Sequence, residues 1–290
     1  MIRRLVAALF ACSIVLPAQA GEAVTPRWQS EAVFLQPESV LLDARHQTLL
    51  VSNIDGQPLE KDGKGFISKL GLDGKVQTLR WVEGLNAPKG MALVGDTLYV
   101  SDIDVLVEID VAAGRVKKRH EAPGAKFLND VTTDGAGHVF VSDMLTNRIH
   151  RLADGRFEVW LESERLANPN GLAVIGGTLY VGSWGVMAPD FSTKVPGHVL
   201  AISLKDKSIS DFGGDAPVGN LDGVEAMADG SLLVSDWMSG GIKRVAADGS
   251  VTPLDPLGPG SADIGYDAAS GTVWVPMMKD GVVRALQLRH

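Results

Sequence analysis

Asn168-Pro169-Asn170-Gly171-Leu172-Ala173-Val174 reads as one polar residue leading a short apolar strand. The same arrangement returns as Pro37-Glu38-Ser39-Val40, Pro88-Lys89-Gly90-Met91, Leu128-Asn129-Asp130-Val131, Leu221-Asp222-Gly223-Val224 and Ala262-Asp263-Ile264-Gly265. From Glu38 through Lys89, Asn129, Asn170 and Asp222 to Asp263 the steps are 51, 40, 41, 52 and 41 residues. A recurrence of about 40–50 residues, each unit built of short strands, is the signature of a β-propeller.

The strand after each copy carries the pattern further. Thr48-Leu49-Leu50-Val51-Ser52-Asn53, Thr97-Leu98-Tyr99-Val100-Ser101-Asp102, His138-Val139-Phe140-Val141-Ser142-Asp143, Thr178-Leu179-Tyr180-Val181-Gly182-Ser183, Ser231-Leu232-Leu233-Val234-Ser235-Asp236 and Thr272-Val273-Trp274-Val275-Pro276 are short, apolar and β-branched, as strands buried between sheets should be. Asp73-Gly74, Asp154-Gly155 and Asp248-Gly249 supply tight hairpin turns. The expectation is an all-β, six-bladed propeller with four-stranded blades and few helices, forming one domain over residues 21–290. Thr25 to Gln36 reads as a strand that joins the last blade, because Gly271–Val275 and Val282–Leu286 leave that blade short of its outer strand and closure removes an exposed edge.

Residues 1–20 read as a secretory signal peptide: Arg3 and Arg4, an apolar run from Leu5 to Leu16, and a small-residue site ending at Ala20. Cleavage ahead of Cys12, as in a lipoprotein, leaves too short an apolar region. The run is also too short to span a bilayer. Export places the chain in the periplasm or outside the cell. Cys12 is the only cysteine, so the mature chain has no disulfide and rests on packing and ring closure. The formal charge is −8, and loss of Arg3 and Arg4 with no acidic residue makes it −10, which leaves no basic patch for nucleic acid.

The first strand of each blade lines the axis of a propeller, so Glu38, Lys89, Asn129, Asn170, Asp222 and Asp263 should form a polar ring. A hydrated tunnel accounts for such a ring in general. Here Glu38, Asn129, Asn170 and Asp222 offer the hard oxygens that Ca²⁺ takes, and no cysteine pair or His-x-x-x-His spacing points to zinc. Two long segments, Asp55 to Gly65 and Trp184 to Gly197, put loops on one face; the second, with Trp184, Met187 and Phe191, either covers a pocket or packs on its own blade. Asp102, Asp143 and Asp236 recur after the second strands, which is the mark of a repeated structural hydrogen bond. Among scattered histidines, His198 follows the longer loop.

These motifs resemble the senescence-marker-protein, gluconolactonase and luciferin-regenerating-enzyme family, with the paraoxonases as more distant relatives. Its leading Glu motif is similar to Pro37-Glu38-Ser39-Val40, its Asn-Asp motif to Asn129-Asp130, its Asn-Gly motif to Asn170-Gly171 and its Asp-Gly motif to Asp222-Gly223. The resemblance implies one divalent metal, usually Ca²⁺, on Glu38, Asn129, Asn170 and Asp222, with hydrolysis of a small-molecule lactone or ester. Asp222 would be the base and Lys89 a cation for the developing oxyanion. Phe127 stands where sugar-lactonase members place an Arg, so Phe127 and Trp184, with Asp263, are expected to contact a less polar substrate. The alternative is a non-catalytic propeller that binds a ligand or a protein on one face.

Overall fold

The computed structural model describes residues 24–188 and 192–289. The signal-peptide reading and Cys12 lie outside them. Six four-stranded antiparallel sheets follow one another along the described chain, as the repeat predicts. Their first strands are Pro37–Asp43, Pro88–Val94, Leu128–Thr133, Pro169–Ile175, Leu221–Ala226 and Gly265–Asp267. Their second strands are Thr48–Asn53, Thr97–Asp102, Val139–Asp143, Thr178–Ser183, Leu232–Asp236 and Thr272–Met277. In the fourth blade a hairpin of Gly185–Met187 and Thr193–Pro196 is inserted between the second and third strands. One short 3₁₀ turn, Glu164–Leu166, is the helical element among the described residues.

The core is shared between neighbouring blades. Leu50 and Ile67 of the first blade pack with Leu98, Val107 and Ile109 of the second, and Leu49, Val51 and Leu70 pack with Trp274, Val283 and Ala285 of the sixth. Each such aliphatic side chain contributes about 1.5–3 kcal/mol on burial, and the contribution exists only when the adjacent blade is present.

The ring closes through Thr25–Gln29, which pairs antiparallel with Val282–Gln287 as the outermost strand of the sixth blade. This strand is shorter than the sequence implied. From Ser30 the chain leaves the sheet edge and crosses to the first blade, with Ser30 N–H donating to the Val283 carbonyl and Phe34 N–H to that of Gly281. Trp28 fastens the seam, its Nε1 donating to the Leu72 carbonyl of the first blade at 2.8 Å.

In five blades the pairing of first and second strands slips by one β-bulge, between Pro37 and Val40, Pro88 and Met91, Leu128 and Val131, Pro169 and Leu172, and Leu221 and Val224. Two residues therefore lie where a regular strand would hold one in register, and the bulge turns them to different directions.

Candidate active site

The bulge sorts the axial residues between two cavities. Its first members, Glu38, Lys89, Asn129, Asn170 and Asp222, line a cavity of about 300 Å³ at one end of the channel. The second members Ser39 and Asp130 line a different cavity, together with Asp263 and Glu225. Asp263 thus does not share the pocket of the other five. Its backbone bridges that of Ser39, Ser39 Oγ donates to Asp263 Oδ2 at 2.6 Å, and Gly265 rather than Ile264 is the first residue paired across to Trp274. Ala262, not Asp263, is the sixth blade's counterpart of Glu38. The sequence alignment is one residue out of register there, because a polar side chain was matched to polar side chains and the buried Ile264 was overlooked as the partner of Val40 and Val224.

Serines of the second strands hold the bulges. Ser52, Ser142 and Ser235 accept from the N–H of Ser39, Asp130 and Gly223 at 2.9, 2.9 and 2.7 Å. Ser101 and Ser235 also donate to the carbonyls of Asn129 and Ala262 in the next blade. Two of the three recurrent aspartates act one step earlier: Asp102 accepts from the N–H of Asn86 and Ala87, and Asp143 from those of Lys126 and Phe127, fixing the entry to the axial strand, whereas Asp236 accepts from Ser239 and Lys243 instead.

Glu38, Asn129, Asn170 and Asp222 are all buried at the cavity floor. Asn170 Nδ2 donates to Asp222 Oδ1 at 3.2 Å, and Asn129 Nδ2 points to the Met144 sulfur at 3.7 Å. Glu38 Oε2 and Asn170 Oδ1 are buried with no hydrogen-bond partner. An orphaned buried carboxylate oxygen is costly, so this floor has oxygen acceptors to offer a cation. The donor set of two carboxylates and two amides suits a hard ion such as Ca²⁺. Three or more His, Cys, Asp or Glu side chains do not converge as a metal cluster among the described residues. Burial, then repulsion from Asp222 and Asp263, raises Glu38 well above its ordinary value; burial, then Asp263, does the same to Asp222.

Lys89 is 1% exposed, and its Nζ donates to the carbonyls of Pro58 at 3.1 Å and Ala87 at 2.9 Å. It also lies 4.5 Å from the centre of the Phe127 ring. Burial lowers it to about 8, against the pull of the Glu38 and Asp102 carboxylates.

Phe127 and Trp184 line the same cavity, and so do Ile54, Met144, Met187, Trp237, Met238 and Met278. The sequence reading missed most of these. Their signal was present: Ile54, Met144, Trp184, Trp237 and Met278 each directly follow the second strand of a blade. Each donates its N–H to the residue two places before the bulge, Gln36, Phe127, Asn168, Asn220 and Gly260. Both long segments reach the pocket, through Pro58 and through Trp184 and Met187. Asn168 braces the wall, its Nδ2 donating to the Met144 carbonyl and its Oδ1 accepting from Met187 N–H. His198 instead pairs with Asp211 at 3.0 Å and does not line the cavity.

No protein-family model and no curated protein matches the chain. Solved structures do match in fold. A gluconolactonase from Xanthomonas campestris superposes with a TM-score of 0.67 at 18% identity, over 93% of this chain and 88% of that one. A streptogramin B lyase gives 0.67 at 12% identity, over 94% and 100%. A catalytically inactive histidine-to-alanine variant of virginiamycin B lyase from Staphylococcus aureus, with quinupristin, gives 0.59 at 14% identity, over 87% and 95%. At these identities the likeness establishes the fold alone, a propeller that the chain shares with gluconolactonase and lyase structures.

Proposed function

We propose that the chain is an exported, calcium-dependent hydrolase of lactone or ester bonds. The observation that carries this reading is the pair of orphaned buried oxygens, Glu38 Oε2 and Asn170 Oδ1, at the floor of a pocket that also holds Asn129 and Asp222. Glu38, Asn129, Asn170 and Asp222 would hold the ion, which when bound supplies a Lewis acid for a carbonyl oxygen. Asp222, at the pocket floor beside Asn170, would take a proton from the attacking water. Lys89, largely protonated at neutral pH, offers a cation to the developing oxyanion, and the apolar wall keeps bulk water from weakening that attraction. The propeller shared with a gluconolactonase is consistent with this chemistry. No histidine lines the pocket among the described residues.

A non-catalytic, ligand-binding propeller is the second reading. It is favoured by Lys89, whose Nζ is already engaged by two backbone carbonyls.

The test is the melting temperature of the mature protein after chelation, with Ca²⁺ titrated back. A site present only in the folded state gives a saturable rise, about 2.7 kcal/mol at a hundred times Kd. Glu38→Gln should abolish it. A flat response in the unmutated protein refutes the calcium site. Export predicts Gly21 at the N-terminus of the mature protein, read by intact mass.

A further inference from the structure

The pocket has two tiers, and the upper one is apolar in every blade. The residue directly after the second strand is Ile54, Ile103, Met144, Trp184, Trp237 and Met278 in turn. All but Ile103 line the cavity, and Ile103 packs with Ile54 and Met278 just behind it. Five of the six are held by the same backbone hydrogen bond, so this is a constructed ring rather than a chance patch. Trp184 and Trp237 stand 5.9 Å apart at a 47° tilt. Trp184 is fixed through its Nε1, which donates to Thr193 Oγ1 at 2.9 Å, and its carbonyl accepts from Asn220 Nδ2 at 2.8 Å. On the blades to either side of this rigid face stand Met144 and Met278, unbranched side chains that adapt to irregular shapes. Met238, 48% exposed, carries the apolar surface to the mouth.

We propose that this pocket selects lactones or esters that bear one alkyl or aryl tail, and rejects polyhydroxylated ones. The inference rests on the hydrolase reading for the bond cleaved, but the ligand class follows from the wall itself. A single carbonyl head reaches the polar floor of Glu38, Asn129, Asn170, Asp222 and Lys89, while the lining above it is carbon and sulfur except for the side chain of Gln36. Each hydroxyl of a sugar lactone placed against that ring would lose its water without gaining a partner, which lowers affinity roughly fivefold or more per group. Each methylene that enters gains about threefold to fourfold. Phe127, stacked under Lys89, extends the apolar surface to the edge of the floor.

The test separates binding from turnover. Hydrolysis-resistant lactams, pyrrolidin-2-one and its 5-butyl and 5-hexyl derivatives, are titrated against the intrinsic tryptophan fluorescence of the full mature protein, with and without Ca²⁺. Gluconolactam is the polar control. The matching lactones are assayed for hydrolysis in parallel. Affinity should climb with tail length and gluconolactam should leave the fluorescence unchanged. The double variant M238Q/M278Q, in the upper wall and away from the floor, should keep the calcium-induced rise in melting temperature and lose about tenfold in affinity for the hexyl lactam. A tail-dependent rise with no lactone turned over supports the ligand class and removes the hydrolase reading. Calcium-dependent hydrolysis with equal kcat/KM for butyl, hexyl and sugar lactones retains the hydrolase and overturns the inference. Lactam affinity independent of tail length, or gluconolactam binding as tightly as the hexyl compound, overturns it as well.

Discussion

Gly171→Ala puts a single methyl group where two blades meet at the floor of the pocket. A Cβ built at this position would stand 2.1 Å from the Asp222 carbonyl oxygen, 2.9 Å from the Gly223 carbonyl carbon and 2.9 Å from Val224 Cγ2. The first two contacts are backbone, which cannot rotate away as a side chain can. Restoring an ordinary contact requires the axial strand of the fifth blade to retreat by about 1 Å, an overpacking defect of roughly 3 kcal/mol, the upper end of the usual range. For a domain of this size that lowers the melting temperature by about 6–12 °C. The displaced strand carries Asp222 itself, so the 3.2 Å hydrogen bond from Asn170 should lengthen and the calcium-induced rise should weaken with it. Gly182→Ala is the informative comparison. Its Cβ would meet the Val224 Cγ2 side-chain atom at 2.7 Å and Leu221 Cβ at 3.1 Å, so Val224→Ala in the same molecule should relieve the larger part of the clash, whereas Val224→Ala should not rescue Gly171→Ala. Differential scanning calorimetry with and without Ca²⁺ reads both effects. A Gly171→Ala protein that melts within about 2 °C of the parent and keeps its calcium response would show that the blades are not packed to backbone contact at the axis.

Two further outcomes follow from the buried carboxylates. Asp222→Asn should fold and lose about 10²–10⁴-fold in kcat on any lactone found, the usual weight of a general base, and turnover at the parent rate would take Asp222 out of the mechanism. Glu225, at the opposite cavity, is raised from its ordinary 4.5 to about 8 by burial and by Asp263, against hydrogen bonds from the Tyr266 and Ala226 backbone. Between those values the folded chain holds a proton that the unfolded chain has released, so stability falls as pH rises through that window. Glu225→Gln should therefore shrink the drop in melting temperature between about pH 5 and pH 8.5; an undiminished drop would mean that other groups carry it.

The repeat was legible because a propeller applies the same local demands six times over. Each second strand must be apolar between two sheets, and each axial position faces its counterparts, so both recur at the blade period. The bulge was not legible. Nothing in Asn170-Gly171 says that Asn170 and its successor face opposite ends of the channel, since that depends on how the strand pairs with Thr178–Ser183. The same blindness misplaced Asp263. Its polarity matched the ring, while its register depended on Ile264, a residue that looks like any other strand residue. The length of the closing strand was misread because pairing partners set where a strand ends. Ser30 and Phe34 bond to the turn side of the sixth blade, which no alternation of residues between Thr25 and Gln36 reveals. The apolar wall is legible at the same period, one residue beyond the recurring Ser-Asp or Ser-Asn.

Floor and wall answer to different parts of the sequence, and this constrains how such a site can change its substrate. The floor residues sit in bulges whose amides and carbonyls are tied by Ser52, Ser101, Ser142 and Ser235 to their own or the adjacent blade. Beside the floor, Gly90, Gly171 and Gly223 lie where a Cβ would strike backbone of the next blade. A substitution there disturbs ring closure as well as chemistry. The wall residues begin the loops that leave the second strands, and their hydrogen bonds run through their own backbone, apart from those of the Trp184 indole and the Met144 sulfur. Their side chains can change size and polarity without moving an axial strand. Selection for a different ligand would act on Ile54, Met144, Trp184, Trp237 and Met278, and on the inserted hairpin that carries Met187, long before it altered Glu38 or Asp222.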